Sequence, residues 1–68
     1  MPSSVIRHAY YDAASRELKI EFTTGRHYLY LDVPGDVAAG FAAAFSKGRY
    51  FNARIRDHYD FEELVSAG

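Results

Sequence analysis

The residues best suited to chemistry lie between Ser46 and Tyr59. Four cations, Lys47, Arg49, Arg54 and Arg56, stand there against one acid, Asp57, giving a local net charge of +3. Tyr50, Phe51 and Tyr59 are interleaved with them, the mixture that phosphate contact combined with base stacking requires. Ser46 is placed to cap a helix beginning at Lys47, which leaves the first amides unpaired at the positive end of the helix dipole. Gly48 has no side chain, so a phosphate would approach those amides closely, with Lys47 beside it. The alternative is a capped, solvated helix whose arginines serve solubility. Both readings stay open on residue type alone.

Other chemistries find no support. His8, His27 and His58 show no metal-ligand spacing, and there is no cysteine, so neither a metal site nor a thiol nucleophile is expected. The serines lack a nucleophile-elbow context, and no phosphate loop or dinucleotide fingerprint is present. Glu62 and Glu63 are adjacent in a tail, poor geometry for acid–base work. The expectation is a domain that is not an enzyme and needs no cofactor.

A chain of 68 residues holds one domain and one small core. Its 16% aromatic content argues against disorder. The net charge of −1 excludes strong global attraction to nucleic acid, so any anion-binding role is local. No apolar run approaches the roughly 20 residues of a membrane helix, and Arg7 and His8 interrupt any signal-peptide core. Cytoplasmic location, with no membrane partner, is the expectation.

The elements that must position the cationic segment follow from periodicity. Val5–Tyr10 reads as an edge strand, followed by a turn over 11–15 in which Asp12 bonds the backbone ahead of it. Leu18, Ile20 and Phe22 alternate with Glu17, Lys19, Glu21 and Thr23, the pattern of a strand with one buried side. Thr24-Gly25 makes a hairpin. In the strand from Arg26 to Asp32, the trio His27, Leu29 and Leu31 is assigned to the core, which turns Tyr28 and Tyr30 outward. Two rings so placed would form a stacking platform, although a helix over that face would bury them. Val33-Pro34 ends the sheet. A helix from Gly35 carries Val37, Phe41, Ala44 and Phe45 as its apolar stripe, with Gly40 its weak point unless sheet backbone passes close. A second helix runs from Lys47 to about His58. Phe51, Ile55 and His58 lie on one side of it, Arg49, Asn52 and Arg56 opposite, and Lys47, Tyr50 and Arg54 flank the apolar stripe. The expected fold is α+β: a three-stranded antiparallel β-meander followed by two α-helices packed on one face. It forms one domain over 1–68, with its core at about 4–59 and an acidic tail at 60–68 that either docks through Phe61 and Leu64 or frays.

In order and spacing, this pattern resembles the KTSC domain family, so named because it also occurs at the C-terminus of some lysyl-tRNA synthetases. The resemblance rests on Tyr11-Asp12, Leu18-x-Ile20-x-Phe22, Gly25, Tyr28-x-Tyr30, Val33-Pro34 and Ser46-x-Gly48-x-Tyr50-Phe51-Asn52, with Ile55 and Tyr59 following. Ala9-Tyr10 departs from the glycine expected there. The resemblance implies no catalytic residues, and its synthetase context implies RNA. The expected nucleic-acid site is therefore Lys47, Gly48, Arg49, Tyr50, Asn52, Arg54 and Arg56 with Tyr28 and Tyr30. The partner is RNA or single-stranded nucleic acid. The alternative is a protein-interaction module, or self-association, through an exposed strand edge or aromatic surface.

Overall fold

The computed structural model describes residues 6–64. Four strands form one antiparallel sheet in sequential order: β1 (Ile6–Asp12), β2 (Glu17–Phe22), β3 (His27–Tyr30) and β4 (Phe61–Leu64). Between β3 and β4 lie α1 (Gly35–Ala43) and α2 (Lys47–Tyr50), the latter continuing into a π-helical turn, Phe51–Ile55. The fold is thus α+β, with a fourth strand where three are expected. Phe61–Leu64 docks as β4 along β3, with Tyr30 opposite Phe61 and Tyr28 opposite Glu63.

Local chemistry accounts for the turns. Asp12 accepts from the amides of Ala14 and Ser15 at 3.0 and 3.4 Å, closing the β1–β2 connection. Gly25, at φ +94°, supplies the left-handed backbone of the β2–β3 hairpin. Val5 lies outside the described residues, and β1 reaches Asp12, beyond the expected end at Tyr10.

The hairpin also fixes which side of β3 is buried. Leu18 stands opposite Tyr30, and Ile20 opposite Tyr28. Directly opposed residues of an antiparallel pair share a face, so the tyrosines join Leu18 and Ile20 in the core. The expected assignment of His27, Leu29 and Leu31 is therefore inverted. One residue of register reverses every side chain of a strand, and the Phe22 to Arg26 loop, closed by the Phe22 amide on the Arg26 carbonyl at 2.9 Å, sets that register. Leu18, Ile20, Tyr30, Val33, Ala38, Phe41, Phe51 and Ile55 form the buried core. Phe51 is its aromatic wedge, edge-on to Tyr30 at 5.5 Å and to Phe22 at 5.6 Å.

The helices end earlier than the periodicity implies. α1 stops at Ala43, and Phe45 lies beyond it, fully exposed. The second helix closes at Ile55, where the Arg56 amide bonds the Phe51 carbonyl at 2.8 Å. Asp57, at φ +67°, then turns the chain away, so His58 is exposed and not on the buried side. Gly40 is explained by a close approach, but the neighbour is a ring and not sheet backbone. A Cβ there would meet the Tyr50 hydroxyl and stand 2.9 Å from the Tyr50 Cζ.

Candidate nucleic-acid interface

The nine expected site residues separate into structural and exposed sets. Tyr30 is only 4% exposed, and its phenol is pushed up from the ordinary value by burial first and then by Tyr28. Tyr28 is half-buried, its ring 5.3 Å from Phe22 and 5.4 Å from Phe61. No open two-tyrosine platform exists. The Tyr50 hydroxyl donates to the Val37 carbonyl at 3.0 Å, and its ring lies 6.0 Å from Phe41. Tyr50 joins the two helices and is unavailable for stacking.

The helix-start mechanism also changes. Ser46 caps as expected, its hydroxyl accepting from the Arg49 amide at 3.4 Å. Gly48, however, is buried, and α2 has only four residues before the π turn. The open glycine that would admit a phosphate is absent. Lys47 faces the other way: its ammonium donates to the carbonyls of Ala42 at 3.0 Å and Ala44 at 2.9 Å. It thereby satisfies the end of α1, where a cation also complements the helix dipole. Lys47→Gln is expected to cost about 1 kcal/mol of stability, read from urea unfolding. It should leave nucleic-acid affinity nearly unchanged, whereas a large affinity loss in a fully folded variant would restore Lys47 to the interface.

Arg49, Asn52, Arg54 and Arg56 are all exposed. Phe51 and Ile55 anchor this segment from its buried side, so the sequence reading of the two helix faces holds for these residues. What that reading missed is Phe45. It immediately precedes the Ser46 cap, a position from which an apolar side chain often packs on the residue five further on. That residue is Tyr50, which is committed to α1, and Phe45 is left in solvent. The signal was present: a residue preceding a helix cap cannot also complete the stripe of the helix before it.

Other exposed chemistry lies across the sheet. On the helix side of β3 and β4, Arg26 sits 3.8 Å from Glu63. The Tyr28 hydroxyl and then Glu63 hold its guanidinium above its ordinary range. The sheet's outer face carries a shallow depression lined by His8, Tyr10, Lys19, Glu21 and His27, in which Glu21 lies 3.9 Å from Arg7 and 3.7 Å from His27. Among the described residues no group of three or more histidines and carboxylates is placed to hold a metal ion. None of the helices is long and apolar enough to cross a membrane.

A four-stranded antiparallel sheet backed by two short helices, with exposed arginines in and just after the second helix and shallow depressions on its surface, defines a small α+β domain. The KTSC domain model matches residues 2–59, and the chain belongs to that family. The crystal structure of a KTSC domain protein from Yersinia pestis superposes with a TM-score of 0.86 at 35% identity, over 96% of this chain and 92% of that one. A protein of Tsukamurella paurometabola is 40% identical over 57 residues, 84% of this chain and 85% of its own. A lysine–tRNA ligase of Nostoc punctiforme is 39% identical over 61 residues, 90% of this chain. The match spans only 11% of that ligase.

Proposed function

We propose that this domain is a non-catalytic accessory module that binds RNA weakly through the ridge of Arg49, Asn52, Arg54 and Arg56, with Phe45 as its stacking ring. DNA is the possible substitute ligand. The observation that carries the reading is the fully exposed Phe45 at the head of the cationic segment. A lone exposed ring needs no explanation, but one that opens a segment carrying the exposed Arg49, Arg54 and Arg56 has the composition of a single-strand binding surface. In this reading the arginines contact phosphates, which position a strand without reading it, and Asn52 meets a base edge or ribose. Tyr28, Tyr30, Tyr50, Gly48 and Lys47 keep the structural roles described above. The likeness to part of a lysine–tRNA ligase supports RNA over other polyanions.

Three arginine–phosphate contacts give a log–log salt slope of about −2 for single strands. Fluorescence anisotropy of a labelled mixed-sequence RNA should show saturable binding at low salt that weakens with this slope. Replacing Arg49, Arg54 and Arg56 together by Gln should lower affinity about tenfold or more. No anisotropy change with RNA or DNA at low salt would remove the reading.

The protein-interaction alternative keeps one specific support. Among the described residues no strand pairs with the outer edge of β1, and five of the seven β1 residues are exposed.

A further inference from the structure

We infer that the outer edge of β1 pairs with β1 of a second copy of this chain, antiparallel and centred on Tyr10, joining two sheets into one. This does not rest on nucleic-acid binding. The argument begins with β1 and β4, the two edges of the sheet, neither of which pairs with a further strand among the described residues. Unpaired edges template pairing unless charge, shortness or a bulge prevents it. β4 has four residues and carries Glu62 and Glu63 at its centre. Pairing it with its own copy about a two-fold axis sets one of these glutamates opposite itself, and like charges directly opposed are destabilising. β4 is thereby protected against self-pairing.

β1 differs. Its register shifts between Ile6 and His8, so Arg7 interrupts the ladder, and the run from His8 to Asp12 is regular. Antiparallel strands of two copies are related by an axis perpendicular to the sheet, which keeps both helical layers on one side and opposes residues of the same face. Within the regular run the midpoint is Tyr10. Centred there, Tyr10 stands opposite the partner's Tyr10, and His8 opposite the partner's Asp12. Ala9 stands opposite the partner's Tyr11.

Each pairing matches in chemistry. On the outer face, where Tyr10 opposes Lys19 and His8 opposes Glu21 within the chain, the 68%-exposed Tyr10 ring gains an aromatic neighbour. The two ends of the run, imidazole and carboxylate, become hydrogen-bonding pairs. On the helix face, which Ala9 and Tyr11 share with Ile20 and Leu18, the smallest side chain meets the largest. Each Tyr11 ring is held over its own protomer by its hydroxyl, which donates to the Val33 carbonyl at 2.7 Å, and the small Ala9, at the rim of a shallow groove that also takes in Arg7, Ala38, Ala42 and Lys47, opposes it without a clash. Parallel pairing in register would instead set each charged residue against its own copy.

The test is sedimentation equilibrium of the wild-type chain from micromolar to millimolar concentration, alongside Tyr10→Lys and Tyr10→Glu. Tyr10 is exposed, so both variants should keep the wild-type circular dichroism spectrum. The wild type should show a concentration-dependent rise to twice the monomer mass, and each variant alone should remain monomeric because like charges meet at the axis. Mixed in equal amounts, the two variants should regain the dimer through a Lys–Glu pair. A wild type that stays monomeric at millimolar concentration overturns the inference. So do variants that dimerise as the wild type does, or a mixture that remains monomeric.

Discussion

Replacing Tyr30 by alanine is expected to unfold most of the domain, at a cost of about 3–5 kcal/mol. A chain of 68 residues carries roughly 3–10 kcal/mol of total stability, so the loss takes a large share of it. Tyr30 is 4% exposed, stands opposite Leu18 and Phe61 in the sheet and packs edge-on against Phe51. Its removal leaves a ring-sized cavity where sheet, helix and β4 meet. Thermal and urea unfolding followed by circular dichroism check this. A Tyr30→Ala variant that loses less than about 1 kcal/mol but fails to bind RNA would return the ring to the surface role. Tyr30→Phe keeps the packing and should cost little below pH 10. Burial holds the proton on the folded phenol more tightly than on the unfolded one. Stability from this group is therefore complete below the ordinary tyrosine pKa of about 10 and falls as pH rises through and above it. Tyr30→Phe should reduce that alkaline loss.

Gly40→Ala is expected to destabilise the domain by about 1–2 kcal/mol, although the same change in a solvated helix would stabilise it by about 1 kcal/mol. The added methyl collides with the Tyr50 hydroxyl and ring. That ring cannot swing aside freely, because it is held by the bond to the Val37 carbonyl and by Phe41. Relief therefore costs either that hydrogen bond or the packing of α2 on α1. A double-mutant cycle separates the two terms. Tyr50→Phe removes the oxygen, and in that background Gly40→Ala should cost measurably less. Equal costs in both backgrounds, or a stabilising Gly40→Ala, would show that the two residues do not meet.

The features legible in the sequence were those fixed by neighbouring residues. The alternation of Leu18, Ile20 and Phe22, the Asp12 turn, the positive φ of Gly25 and the Ser46 cap each depend on a few adjacent positions. So does the outward placement of Arg49, Asn52 and Arg56 opposite Phe51 and Ile55. What was not legible depended on partners distant in the chain. The face taken by Tyr28 and Tyr30 follows from hairpin register, and tyrosine suits either environment. Phe61–Leu64 carries two glutamates and leaves docking or fraying open on residue type, and the choice falls to docking because β3 offers it an edge and Tyr30 a ring to pack on. The end of the second helix is set by the left-handed Asp57, a conformation that residue type does not demand. For the candidate site, Arg49, Arg54 and Arg56 are exposed as expected, but Lys47 turns to the carbonyls that end α1, and the exposed ring is Phe45, because Tyr50 is drawn into the joint between the helices.

The most direct measurement is an amide chemical-shift titration of the labelled domain with a mixed pool of short RNAs, at low and then physiological salt. The account predicts saturable shifts confined to residues 45–56, largest near Phe45, Arg49 and Asn52 and fading as salt rises. Shifts centred instead on the outer face of β1 and β2, or no shifts at low salt, would contradict it.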